Sequence, residues 1–191
     1  MEHKGTKRIE TERLLLRPFT PEDGPAMFKN WCGDPEVTKF LTWPTHASPA
    51  VSSGLAALWA EESKMPNVYQ WAIVPKALNE PIGSLAVVHQ REEISQCELG
   101  YCIGKAWWGK GVMTEAVKAV IAYLIEEVGM NRVEARHDVN NPGSGRVMQK
   151  AGMTFEGVLR QASRNNTGLC DLAVYSILAK EYREQAKSQR F

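Results

Sequence analysis

Residues 98–115, Glu-Leu-Gly-Tyr-Cys-Ile-Gly-Lys-Ala-Trp-Trp-Gly-Lys-Gly-Val-Met-Thr-Glu, constrain this chain more than any other stretch. A short apolar run stops at Gly104, a turn punctuated by Gly109 and Gly111 follows, and a helix opens with Thr114 and Glu115 in its first turn. Glycines permit positive φ and close approach of the backbone. The unpaired amides and positive dipole end of a helix N-terminus favour an anion. The stretch therefore predicts a cradle for a phosphate or pyrophosphate.

Two common phosphate loops fail on it. Residues 104–110 spell G-x-x-x-x-G-K, but Gly111 stands where a P-loop needs the hydroxyl that holds Mg²⁺. A dinucleotide fingerprint needs a third glycine where Thr114 stands and an acid some 20 residues on, around Asn131.

What remains resembles the acyl-CoA pyrophosphate loop of the GCN5-related N-acetyltransferases (GNAT). Trp108-Gly109-Lys110-Gly111-Val112-Met113-Thr114-Glu115-Ala116 has the form typical of the branch that acetylates ribosomal-protein N-termini (RimJ/RimL-like). Further matches follow in order at Asn141-Pro142-Gly143-Ser144, Lys150-Ala151-Gly152-Met153, Glu156-Gly157, and Asp171 before Tyr175. Thr11-Glu12-Arg13-Leu14-Leu15-Leu16-Arg17 matches near the start. The resemblance covers about residues 9–182.

Composition sets the bounds. At 191 residues with no Pro/Gly/Ser-rich linker the chain reads as one domain, 1–191. Twenty-three basic against 22 acidic residues, scattered along the chain, argue against direct nucleic-acid binding or an anionic membrane. Cys32, Cys97, Cys102 and Cys170 show no metal spacing, so no metal is expected and reduced cytoplasmic thiols are the default. The N-terminal residues lack an apolar signal region, and the longest apolar stretch, 116–125, is interrupted by Lys118.

Periodicity gives the elements. Residues 9–17 predict a strand. Thr20-Pro21-Glu22-Asp23 caps a helix to about Cys32, Asp34-Pro35-Glu36 opens a short second one, and 48–63 carries a helical apolar pattern through Val51, Leu55, Leu58 and Trp59. Runs 68–74, 82–89 and 96–103 predict an antiparallel meander. A helix over 113–128, stopped by Gly129, leads to a strand at 132–139, a βαβ crossover that makes 96–103 and 132–139 parallel neighbours. A short helix from Asn141 to Gly152 precedes a β pair, 154–160 and 169–178, across a polar loop at 163–168. The sum is an α/β fold, one mixed, mostly antiparallel central sheet with helices on both faces, in agreement with the GNAT acyltransferase fold that the resemblance implies.

An amine attacks a thioester only when neutral, so a group must take its proton. The matching family strand often supplies a carboxylate for this, which makes Glu98 the base candidate, with a structural or acceptor-binding role as its alternative. An oxyanion needs donors, and a strand that stops pairing between Gly100 and Gly104 can offer the amides of Cys102 and Ile103 to the thioester carbonyl and pantetheine. The family usually places an acid tyrosine seven residues past Asn141, where this chain has Met148. Ser144 is the substitute that the branch suggests, unless it only serves its helix turn. Asn141 is expected to cap that helix and to bond pantetheine or a water.

The loop amides of Gly109, Lys110, Gly111, Val112, Met113 and Thr114 are expected to hold the pyrophosphate. This discounts Ala106, where the wider family has Gln or Arg. Lys110 adds a charge there or is merely solvated; of Trp107 and Trp108, one packs under the loop and the other, Trp108 in the cofactor-site reading, lines the groove. The helical region after the first strand forms one acceptor wall in the family, so Trp43 is a substrate-binding candidate, with ordinary core and surface aromatics as the alternative reading of Trp43 and the main reading of His46. Cys102 has no visible Cys-His partner and reads as a small buried hydrophobe, not a nucleophile.

The resemblance thus implies an acetyl-CoA-dependent N-acetyltransferase acting by direct transfer on a primary amine, either a protein N-terminal α-amine or a small molecule. A homodimer is open. The competing class is a non-catalytic acyl-CoA-binding sensor, for which Met148 is the positive sign.

Overall fold

The computed structural model describes residues 1–188, and the last three residues of the expected 1–191 unit lie outside them. In chain order the elements are β1 (Ile9–Glu10), β2 (Leu14–Arg17), α1 (Gly24–Met27), α2 (Pro35–Thr38), α3 (Pro49–Glu62), β3 (Gln70–Pro75), β4 (Gly83–Arg91) and β5 (Gln96–Ile103). There follow α4 (Val112–Tyr123), β6 (Arg132–Asp138), α5 (Pro142–Lys150), β7 (Thr154–Asn165), β8 (Gly168–Leu178) and α6 (Ala179–Ser188). The strands form one sheet in the order β1-β2-β3-β4-β5-β6-β8-β7. Every neighbouring pair is antiparallel except β5 and β6, the pair that the α4 crossover makes parallel.

Both sheet faces are covered near the middle. Along β3, Trp71 and Ile73 enter a cluster with Leu85, Leu99 and the α4 stripe Val117, Val120 and Ile121; Ala72 and Val74 enter a second with Phe19, Met27, Trp31 and Ala56. This is why residues 71–75 are all buried and do not alternate. The α4 stripe continues as a wider turn through Leu124–Val128 and ends at Gly129 with φ +82°.

Four local expectations are corrected. The first strand breaks into the β1–β2 hairpin, because Thr11 Oγ1 accepts from the Leu14 amide at 3.0 Å and folds the chain back. Helix α3 forms where the apolar pattern predicts it but faces otherwise: Ser52 and Ala56 are buried while Val51 and Leu58 are about half exposed. The cause is the close packing of α1, where a Cβ on Gly24 would lie 2.4 Å from Ser53. The polar loop at 163–168 is mostly strand, with β7 and β8 joined tightly after Asn165. Helix α6 is additional; the Leu178 amide donates to Glu181 at 2.9 Å, and Tyr182 packs on the core.

The face of β5, β6, β7 and β8 away from α4 carries charge. Arg132 is bidentate to Glu156, at 2.6 Å on each oxygen, and Ser176 donates to the same carboxylate at 2.7 Å. Arg132 holds Glu156 well below the usual carboxylate range, at about 2. A depressed folded value gives stability above the ordinary value of 4.5 that is lost as pH falls towards 2. With Glu156 part exposed, Glu156→Gln is expected to cost about 1 kcal/mol at pH 7. Urea melts at pH 7, 4 and 3 should show that difference shrinking; a constant difference would mean the charge is not its origin.

Candidate active site

The central wedge arises because β5 and β6 pair only from Gln96↔Arg132 to Leu99↔Ala135. Beyond that register β5 stays with β4 as far as Ile103, and β6 stays with β8 as far as Asp138. The two strands part. Their departure starts at Gly100, whose missing side chain leaves room for Val88; a Cβ there would meet Val88 Cγ1 at 2.7 Å, beside the β4 bulge between Val87 and His89.

Ladder alternation sorts the amides on the open edge. The Gly104 amide donates to Ile82 O at 2.9 Å, so Cys102 and Gly100 also face β4, whereas Tyr101 and Ile103 face the wedge. The Ile103 carbonyl agrees, since it accepts from Trp108 Nε1 at 2.9 Å on the side away from β4. The free donors expected near Cys102 and Ile103 are therefore those of Tyr101 and Ile103. Cys102 is buried, its sulfur 3.3 Å from Ser84 Oγ, and burial pushes its thiol up to about 11.

The glycine turn follows directly. Gly109 and Gly111 have φ +72° and +75°, and Gly111 is the left-handed N-cap of α4, its carbonyl accepting from the Glu115 amide at 3.0 Å. Val112 and Met113 fix the helix start to the core, and Thr114 is half-buried. Lys110 Nζ lies 5.3 Å from the Trp107 ring; Trp107 packs on the core and Trp108 is 47% exposed.

Arg13 and Thr11 brace this turn, a role that the sequence motif did not disclose. Glu115 accepts from Thr11 Oγ1 at 2.6 Å, from the Arg13 amide at 3.0 Å and from Arg13 Nε at 2.6 Å, while Arg13 Nη1 donates to Lys110 O at 3.1 Å. Burial works to raise the Glu115 carboxyl, but these donors outweigh it and hold it below the usual range. Its charge is thereby spent on Arg13, and the first-turn amides are left to an anion.

On the α4–α5 face of the wedge, Asn141 caps α5, its side chain accepting from the Ser144 amide at 3.4 Å. Ser144 Oγ donates to Tyr101 Oη at 3.0 Å, and that phenol donates to Ser144 O at 3.0 Å. Burial raises the Tyr101 phenol well above its ordinary value. Met148, in the place of the family's acid tyrosine, is fully buried. Tyr101 shares a strand face with Ile103, and its meeting with Ser144 spans 43 residues, which leaves no local signal in the sequence.

On the opposite face, Glu98 stands one register before the strands part, level with Glu134 and with His89 of β4. Its side chain is 21% exposed and its nearest cation, Arg136 Nε, is 3.5 Å away. Burial raises its carboxyl above the ordinary value, Arg136 opposes this, and Glu134 adds to it. A half-buried carboxylate of raised proton affinity can act as a base. The Trp43 ring lies beside His46, at 5.4 Å, against the second core cluster, and its carbonyl accepts from Asn166 Nδ2 at 2.8 Å. His46 is part-buried, and its Nδ1 is hydrogen-bonded to buried Ser52 at 2.7 Å.

Residues 13–154 match the acetyltransferase (GNAT) domain family. This chain is a member of the GNAT acetyltransferase family. It is 30% identical to the uncharacterized N-acetyltransferase p20 of Bacillus licheniformis over 91% of this chain and 97% of that one. With the [ribosomal protein uS5]-alanine N-acetyltransferase of Escherichia coli (strain K12) it shares 37% identity over 78% of this chain and 79% of that enzyme. The microcin C7 self-immunity acetyltransferase MccE, solved with acetyl-CoA and AMP, superposes with a TM-score of 0.78 at 19% identity, covering 88% and 93% of the two chains, and so shares the fold. The GNAT chain is accordingly an acetyltransferase enzyme. Among its described residues, no helix is long and apolar enough to cross a membrane.

Proposed function

We propose that this acetyltransferase transfers the acetyl group of acetyl-CoA directly to a primary amine, and that its acceptor is the α-amine of a protein N-terminus. The observation that carries the reading is Glu98, half-buried and raised in proton affinity at the register where β5 and β6 part. In the proposed step Glu98 takes a proton from the acceptor ammonium, the amine nitrogen forms the new N–C bond, and the C–S bond breaks with its electron pair going to sulfur. The Tyr101 and Ile103 amides stabilise the oxyanion between those events. Collapse of the adduct releases the second proton of the attacking nitrogen and the thiolate takes up one proton on the side where Ser144 and Tyr101 lie, so that the products are the amide, CoA thiol and protonated Glu98.

The residues fit an acetyl-CoA donor: Gly109, Lys110, Gly111, Val112, Met113 and Thr114 would take the pyrophosphate, Trp108 would flank it, and Asn141 would meet the pantetheine arm. The donor supplies the activated thioester. The N-terminal acceptor is favoured by the 37% identity to the uS5-alanine enzyme. Thiol release and product mass should be followed with acetyl-CoA and a panel of Ala- and Ser-initiated peptides, polyamines and aminoglycosides. Peptide turnover above the small amines supports the reading; tight acetyl-CoA binding with no turnover on any amine overturns it.

Direct transfer also requires that cysteine chemistry be dispensable. The Cys102 thiol is buried and protonated at neutral pH, so Cys102→Ala is expected to keep most of the activity. Lost turnover in a folded variant, together with an acetylated Cys102 peptide from the wild type, would replace direct transfer by an acyl-enzyme route.

A further inference from the structure

The charged groups behind Glu98 form a chain of alternating sign across the sheet. Glu156 binds Arg132, Arg132 Nη2 donates to Glu134 Oε2 at 2.7 Å, and Arg136 Nε donates to Glu134 Oε1 at 2.7 Å. Glu134 is 4% exposed, and its Oε2 also accepts from Gln96 Nε2 at 3.3 Å. Each oxygen of this one buried carboxylate is therefore committed to a guanidinium. Glu98 ends the chain. Its Oε2 is 3.5 Å from the same Arg136 Nε that Glu134 holds, and among the described residues no side chain donates a hydrogen bond to it.

That inequality has a chemical consequence. A carboxylate that accepts good hydrogen bonds from an arginine is held in its charged form and becomes a weak base. Arg136 is drawn to the better-buried Glu134, so Glu98 is given enough positive field to tolerate its like-charged neighbour, but not a bond that would have to break when it takes a proton. The groups facing Glu98 are Glu134 and Arg136 on β6 and His89 on β4. Of these, the two on β6 are locked to each other.

We propose that Glu134 and Arg136 are positioning residues that set the proton affinity of Glu98, with Glu134 holding Arg136 off Glu98 and Arg136 screening Glu98 from Glu134. The catalytic use of this device rests on the reading of Glu98 as the base; the electrostatic assignment does not. Neither residue needs to touch the acceptor. The two act in opposite senses: without Glu134, Arg136 is released to Glu98, and without Arg136, two carboxylates face each other in register.

The test uses the full chain as Glu134→Gln, Arg136→Gln and Arg136→Lys. The Glu98 carboxyl is titrated by ¹³C NMR in the free enzyme, its signal assigned by loss in Glu98→Gln, and the acidic limb of kcat/KM is measured with acetyl-CoA and an Ala-initiated peptide. Arg136→Gln should move the Glu98 titration and the rate limb to higher pH, Glu134→Gln should move both to lower pH, and Arg136→Lys should stay near wild type. Plateau rates should change by about tenfold or less, short of the about 10²–10⁴-fold expected on losing a general base. A purely structural role would lower plateaus without opposite shifts. An unmoved Glu98 titration, or shifts of the same sign, would overturn the proposal. Opposite NMR shifts with a fixed rate limb would uphold it and refute Glu98 as the base. Should Glu134→Gln fail to fold, the half-exposed Arg136 pair decides alone, a Glu98 titration unmoved in Arg136→Gln being fatal.

Discussion

Gly111→Val should raise the Kd for acetyl-CoA by more than about tenfold, equivalent to 1.4 kcal/mol or more, while the enzyme still melts cooperatively. Gly111 has φ +75° as the N-cap of α4, and a left-handed conformation costs an L-residue roughly 1–2 kcal/mol, most for a β-branched one. The turn would relieve that strain by rotating its peptides, and rotated peptides would turn the amides proposed to hold the pyrophosphate out of their present directions. Space is not the obstacle, because a Cβ on Gly111 would have only Arg13 Nη2 near it, at 3.6 Å. Nor is the core, since Val112, Met113 and Ala116 keep their contacts. Calorimetry on the folded variant decides, and unchanged affinity would remove the turn from the cofactor site. Arg13→Ala is the companion variant. It should weaken binding in the same direction with Gly111 intact, because it strips the brace from Lys110 O and returns the Glu115 charge to the anion end of the helix.

How far such a site can be read in advance depends on the range of its contacts. The strand, turn and helix around Gly104–Glu115 were legible because each signal is local: a strand ends, glycines permit positive φ, and an apolar 3.6-residue stripe begins. The βαβ crossover and the parallel pairing of β5 with β6 followed from element order alone. The break at Thr11 was not legible, since the Thr11 hydroxyl that accepts from the Leu14 amide is itself fixed, like the Arg13 side chain, by Glu115 about 100 residues away. The buried side of α3 does not follow the apolar count, because Gly24 admits Ser53, a contact that favours small residues. The role of Tyr101 is hidden from the sequence for a related reason. Its parity was readable, but only tertiary packing brings its phenol to Ser144 and makes the two polar groups a unit. The salt-bridge partners of Glu98 were hidden in the same way, because Arg136 and Glu134 look like ordinary solvent-facing charges in an alternating strand.

Glu98→Gln is expected to lower kcat/KM by about 10²–10⁴-fold at neutral pH, the usual worth of a general base, and the deficit should shrink as pH rises. The rescue follows from the chemistry of the acceptor: at higher pH more of the amine is already neutral and the missing proton acceptor matters less. The amide keeps the shape of the carboxylate, and no hydrogen-bonding partner of Glu98 among the described side chains is lost, so the fold should be undisturbed. Ser144→Ala should behave differently. It lies on the other face of the sheet, where its hydroxyl proton is engaged by Tyr101, and a medium that deprotonates amines gives no help to a departing thiolate. Its kcat should fall without alkaline rescue, and Tyr101→Phe combined with it should cost little more than either alone, because the two hydroxyls are hydrogen-bonded to each other and losing either one breaks the pair. Steady-state kinetics from pH 6 to 9.5 on the three variants, with wild type alongside, separate the roles. If Glu98→Gln raises only the acceptor KM and leaves kcat flat across that range, Glu98 binds the amine and the proton leaves by another route.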